Sequence, residues 1–110
     1  MLNQIKRELS QLSDPKRAKN LSWFFKTGKG QYGEGDIFLG IPVPEQRKVA
    51  KKYVDLSLDD IQELFNNKIH EYRFTALVIL ISKYRKAEKS GKKRFLISIL
   101  TILKILTIGI

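Results

Sequence analysis

An all-α fold, built from antiparallel helix pairs stacked into a superhelix, is what this 110-residue sequence predicts. Three observations carry that prediction. Apolar residues recur at three- and four-residue steps on both sides of the glycine-rich stretch at residues 27–43. No stretch shows the convincing period-two alternation of a half-buried strand. Stop and start signals at Ser13-Asp14-Pro15, Ser57 and Asn66-Asn67 divide the chain into pieces of helix length. Stacked helix pairs bury apolar surface against their neighbours, so about three are needed, and one domain of this length has room for about that minimum.

Leu2, Ile5, Leu9 and Leu12 share one side of a short amphipathic helix. Ser13-Asp14-Pro15 ends it. Asp14 is suited to accept from the exposed N–H groups of the next helix, and Pro15 fits a first turn, where a missing N–H costs nothing. A second helix follows to about Lys26, burying Ala18, Leu21 and Phe25. Residues 27–43 carry five of the seven glycines: Gly28, Gly30, Gly33, Gly35 and Gly40. Glycine loses extra backbone entropy in a helix, so this stretch is either an ordered functional loop or a linker. Phe38, Leu39 and Ile41 are placed to pin its far end into the core.

Pro44 opens a third helix, running to about Tyr53. On it Arg47, Lys48, Lys51 and Lys52 fall within about 140°, with Val49, Ala50 and Tyr53 opposite. Ser57, Asp59 and Asp60 mark the start of a fourth helix, the acids favouring its positive end. Leu58, Ile61, Leu64 and Phe65 form its buried stripe. Asn66-Asn67 breaks the chain again. A longer helix then runs from about Ile69 to Arg85, with Ile69, Tyr72, Ala76, Ile79 and Leu80 inward.

The net charge is +10, from 21 Lys and Arg against 11 Asp and Glu, spread over several segments. A polyanion is the natural partner, because Lys and Arg displace condensed counterions from phosphates and give salt-sensitive binding. An anionic membrane or an acidic protein also answers to charge alone. The absence of cysteine excludes disulfides and thiolate metal sites. The first twelve residues alternate charged and apolar side chains and lack a signal peptide's continuous apolar stretch, which predicts an intracellular, cytoplasmic protein.

Few residues suggest chemistry of their own. His70 is the single histidine, with no partner for a metal site, and reads as a capping or surface residue. GKGQYGEG is glycine-rich, yet no strand precedes it and no Gly-Lys-Ser/Thr closes it, so it is weak as a nucleotide loop. Glu34 and Asp36 are a conceivable acid and base, although loop acids are more often solvated or bonded to backbone. Trp23, Phe24 and Phe25 are consecutive, so at about 100° per residue they cannot all face one core. At least one stands near Lys26 and Lys29, either to stack on a base or sugar or to pack beneath the glycine loop.

The run from Trp23 to Val49 carries four short motifs in order. They are Phe24-Phe25-Lys26-Thr27-Gly28, Gln31-Tyr32-Gly33-Glu34-Gly35-Asp36, Phe38-Leu39-Gly40-Ile41 and Val43-Pro44-x-x-Arg47. Together they resemble the HEAT-like-repeat DNA alkylation repair proteins, the alkylpurine DNA glycosylases, over residues 1–94. The resemblance implies a concave basic surface that grips duplex DNA around a damaged nucleotide and releases cationic N3- and N7-alkylpurines. Those lesions are activated leaving groups, so electrostatic stabilisation of the developing sugar cation is a sufficient demand on the protein. It also implies a helix-two aromatic facing the lesion, which falls at Phe24 with Trp23 the neighbouring possibility. The family's acid and its tryptophan partner follow an Asn-Asn-Trp-Asp-Leu-Val-Asp motif. This chain lacks that motif, so no catalytic residue is assigned.

From Phe95 the chain reads FLISILTILKILTIGI, eleven of sixteen residues being Ile, Leu or Phe. Ser98, Thr101, Lys104 and Thr107 recur every three positions, which matches neither helix nor strand amphipathicity. At sixteen residues the segment is shorter than the roughly 20 needed to span a bilayer. With synonymous AT-rich codons chosen to fit, the stretch from Ile97 is compatible, read two bases on, with Phe-Tyr-Leu-Asn-Asn-Thr-Lys-Asn-Ile-Asn-Asn-Trp-Asp, the start of the missing motif. Residues 95–110 are therefore expected to be an aberrant apolar tail produced by a frameshift near residues 92–97.

These readings predict a truncated DNA alkylation repair protein without glycosylase activity, monomeric if folded, needing no metal or other cofactor. Alkylated duplex DNA is the expected partner, contacted by Trp23, Phe24, Lys26, Lys29, Arg47, Lys51 and Lys52. One alternative is a helical-repeat module that binds another protein. Another is a basic membrane-surface protein held by residues 92–110, although nothing in residues 1–91 requires a membrane.

Overall fold

The computed structural model describes residues 1–24, 35, 37–92 and 97, the Phe24 side chain excepted. The described chain is all-α: α1 (Leu2–Gln11), α2 (Pro15–Phe24), α3 (Val43–Lys52), α4 (Leu58–Phe65) and α5 (His70–Ser90). This is compatible with a helical-repeat fold. Phe25 and, apart from the exposed helical Ile97, the apolar run from residue 95 lie outside the described residues.

Local chemistry sets the helix ends where the sequence places them. The Asp14 carboxylate accepts from Lys16 N at 3.1 Å and Arg17 N at 3.3 Å, capping α2. Ser57 Oγ accepts from Asp60 N at 3.2 Å and caps α4, with Asp59 and Asp60 in its first turn. Asn66 ends α4, and Asn67 Oδ1 accepts from Ile69 N at 2.9 Å, turning the chain into α5. The last helix runs about a turn beyond the predicted Arg85. It stops at Gly91, whose φ of +71° is the left-handed cap that glycine adopts without strain.

The core is one cluster that draws on α1, α3, α4 and α5. Ile5, Leu9, Leu56, Ile61, Leu64, Ile79 and Leu80 are fully buried, with Val49, Ala50, Tyr72 and Ala76 beside them. Burying a side chain of this size contributes roughly 1.5–3 kcal/mol relative to leaving it exposed. The central element is α5, against which α1, α3 and α4 all pack. Its first half is apolar on more than one side, as a helix with several neighbours requires: Phe74, Leu77 and Val78 are half-buried opposite the main stripe. Tyr72 ties α5 to α1, its hydroxyl lying 3.2 Å from Ser10 Oγ and donating to Lys6 O at 3.4 Å.

By contrast, α2 contributes no buried side chain among those described. Ala18 and Leu21, expected in the core, are only half-buried. The far end of the glycine-rich stretch is ordered as expected: Phe38 and Ile41 are buried and Leu39 packs against the core. Ile37 pairs with the turn before α5 in a single parallel bridge, donating to Lys68 O at 3.0 Å and accepting from His70 N at 2.8 Å.

Candidate nucleic-acid interface

The basic face of α3 follows directly from its sequence. Val49 and Ala50 are buried, and the helical period then forces Arg47, Lys48, Lys51 and Lys52 outward, where all four are exposed. Glu45 in the first turn and Lys51 and Lys52 in the last complement the helix dipole. Two of the four cations are engaged: Lys48 pairs with Glu45 at 3.4 Å and Lys52 with Glu8 at 3.4 Å. Such exposed pairs are worth about 0–1 kcal/mol and yield readily to a phosphate. Arg47 and Lys51, one turn apart, make no ion pair among the described residues. Burial, then the Glu8 carboxylate, raises the Tyr53 phenol above its ordinary value.

Trp23, near the end of α2, is 84% exposed. An indole left in water on a helix surface gains nothing from packing in the core. Phe24 lies on α2, but its side chain is outside the described residues, as are Lys26, Lys29, Glu34 and Asp36. At the other end of α2, Asp14, Lys16, Arg17, Asn20 and Leu21 line a shallow, open groove. His70 is half-buried in the first turn of α5, its ring 4.8 Å from that of Phe38. Among the described residues, no group of three or more His, Cys, Asp or Glu side chains could hold a metal. No described helix is long and apolar enough to cross a membrane.

Beneath this surface lies a device the sequence reading missed. Glu71, only 1% exposed, turns its carboxylate onto the loop ahead of α3. Oε1 accepts from Leu39 N at 2.9 Å, and Oε2 from Gly40 N at 2.9 Å and Ile41 N at 3.4 Å. Gln46, also buried, donates from Nε2 to Ile41 O at 2.7 Å, gripping the same loop from the α3 side. A signal for Glu71 was present: it sits four residues before Thr75 and eight before Ile79, on the buried stripe of α5. A carboxylate on an apolar stripe at a helix start calls for backbone donors.

The fold and surface thus define an all-α protein with a segregated basic helix face on α3 and an exposed tryptophan on α2. A family model described as "DNA alkylation repair enzyme" matches residues 5–106, and the chain belongs to that family. The match continues past residue 94 into the apolar segment. No curated protein and no solved structure matches the chain. Membership supports a role in DNA repair, with DNA as substrate or partner.

Proposed function

We propose that this chain is a HEAT-like DNA-binding module of the alkylpurine glycosylase type, which grips duplex DNA without itself cutting the glycosidic bond. The observation that carries the reading is the outward pair Arg47 and Lys51, free of ion pairs among the described residues, on a helix whose opposite face is core. Phosphate contacts from such a face fix orientation and supply most of the affinity, while Trp23 adds a stacking surface. Phe24, Lys26 and Lys29 extend the same surface in this reading. Catalysis is placed outside the chain because the Asn-Asn-Trp-Asp-Leu-Val-Asp motif, which holds the family's acid, does not occur in it.

The test is binding of a fluorescent duplex across a salt series. The α3 contacts alone, from Arg47, Lys51 and Lys52, give a slope of log affinity against log salt of about −2.7, so raising salt fourfold should weaken binding at least about 40-fold. Reversing the charge of those three residues should abolish retention. A flat salt response, or binding that survives charge reversal, sinks the proposal and favours a protein partner. A duplex bearing N7-alkylguanine should be bound and released unchanged, and base release would overturn the non-catalytic half of the reading.

A further inference from the structure

Glu71 is connected to the start of α2 through the loop whose amides it holds. Its carboxylate holds the amides of Leu39, Gly40 and Ile41, and hydrogen bonds to a charged acceptor are roughly twice as strong as neutral ones. The held segment in turn seats the α1–α2 corner. Leu39 O accepts from Asp14 N at 2.8 Å, and Gly40 lies against the Asp14 carbonyl and the backbone of Ala18. Asp14 then starts α2 with both its groups: its carboxylate caps the first turn and its carbonyl accepts from Ala18 N at 2.9 Å.

Among the described side chains of α2 none is fully buried, Ala18, Leu21 and Ser22 being half-buried, so the polar relay is a principal tie between the start of this helix and the rest of the fold. The opposite half of the interface is referenced to the same helix, since α3 packs directly on α5. We infer that Glu71 is a positioning residue for DNA binding: it registers α2, with Lys16, Arg17, Lys19 and Trp23, against the basic face of α3. The inference rests on the DNA-binding reading above. If only a fraction of molecules holds α2 in register, apparent affinity falls by that fraction. A duplex contacted by both helices therefore feels Glu71 without touching it.

Glu71→Gln in the full chain is the sharp variant. It keeps volume and one acceptor, but its NH2 group must oppose an N–H of the loop, so part of the relay is lost. Amide hydrogen exchange should show protection in residues 18–24 collapsing while α4 and α5 lose far less. Duplex affinity should fall about tenfold if roughly one molecule in ten keeps α2 docked, at an unchanged salt slope, because no phosphate contact is removed. Gly40→Ala, which disturbs the far end of the relay, should give the same exchange pattern. Unchanged α2 protection in Glu71→Gln, or protection lost equally throughout both variants, overturns the inference. Failure of the unmodified chain to bind duplex overturns the DNA reading and the DNA role of α2 with it, while the exchange pattern still decides whether Glu71 holds that helix.

Discussion

Gly40 is seated directly on the backbone of Asp14: with φ at +81°, it leaves no space between its Cα and the Asp14 carbonyl oxygen, and Ala18 N is 2.7 Å from where a Cβ would stand. Two separate penalties follow for any side chain. The left-handed conformation costs roughly 1–2 kcal/mol, and forcing a methyl into packed backbone costs about 1–3 kcal/mol more. Gly40→Ala should therefore lower the unfolding free energy by about 2–5 kcal/mol in urea titration. Gly91 is the control, because its φ is +71° but nothing lies within 4 Å. Gly91→Ala should lose only the backbone share, about 1–2 kcal/mol. Equal losses at the two positions would mean that the contact with Asp14 is not tight in solution.

Trp23 is the single tryptophan, so tryptophan emission, excited selectively over the four tyrosines, reports on α2 alone. With 84% of its surface in water, Trp23→Ala should leave stability within about 0.5 kcal/mol of the parent. Its effect on DNA should be much larger. Stacking on a base is worth about 1–3 kcal/mol, so affinity should fall by about 5- to 150-fold with the salt slope retained. Adding duplex to the parent should also quench the indole. An affinity unchanged by the substitution would remove Trp23 from the interface, leaving Phe24 as the remaining aromatic candidate on that helix.

The fold was legible because its determinants are local. Asp14, Ser57 and Asn66-Asn67 act within a few residues of themselves, and their helix boundaries appear in the structure within one or two positions. The basic face of α3 was legible for the same reason, since Val49 and Ala50 fix its rotation. What escaped was long-range. Ala18 and Leu21 have the spacing of core residues, yet half-burial is all that the position of α2 permits. Glu71 meets amides about thirty residues earlier in the chain, and no local periodicity announces such a partner. Gly40, a glycine inside the apolar run Phe38-Leu39-Gly40-Ile41, was the visible trace of the approach to Asp14 and Ala18, because close backbone approach is what such a glycine marks.

The apolar run from residue 95 leads to a prediction at the level of the gene. If a two-base shift produced it, sequencing the coding DNA across residues 88–110 and beyond should reveal a second frame. That frame should continue through Trp-Asp-Leu-Val-Asp into further helical sequence. Restoring it should yield a longer protein with base-release activity on N7-alkylguanine duplex. Stop codons throughout the alternative frame would instead establish the apolar run as the chain's own.

Lys83 supplies a test of electrostatics away from the interface. It lines a groove with Val54, Asp55, Lys86 and Ala87, and burial lowers its pKa below the ordinary 10.5, Asp55 drawing it back up and Lys86 pressing it further down. Between the folded and the ordinary value the unfolded chain binds more protons, so this group makes stability rise with pH there. Below that window the charged ammonium is a standing cost. The Lys86–Asp55 pair at 4.0 Å is exposed and offsets little of it. Lys83→Met keeps the aliphatic stem and removes the charge, so at pH 7 it should raise stability by less than about 1 kcal/mol. The advantage should shrink as pH approaches 10.5, where the parent sheds the proton more readily when folded. Urea midpoints of both chains at pH 7 and near the ordinary lysine value measure this, and Tyr53 titrates alike in each. A parent more stable than the variant at pH 7, or a gap that ignores pH, would show that Asp55 and solvent already neutralise the cost of burying Lys83.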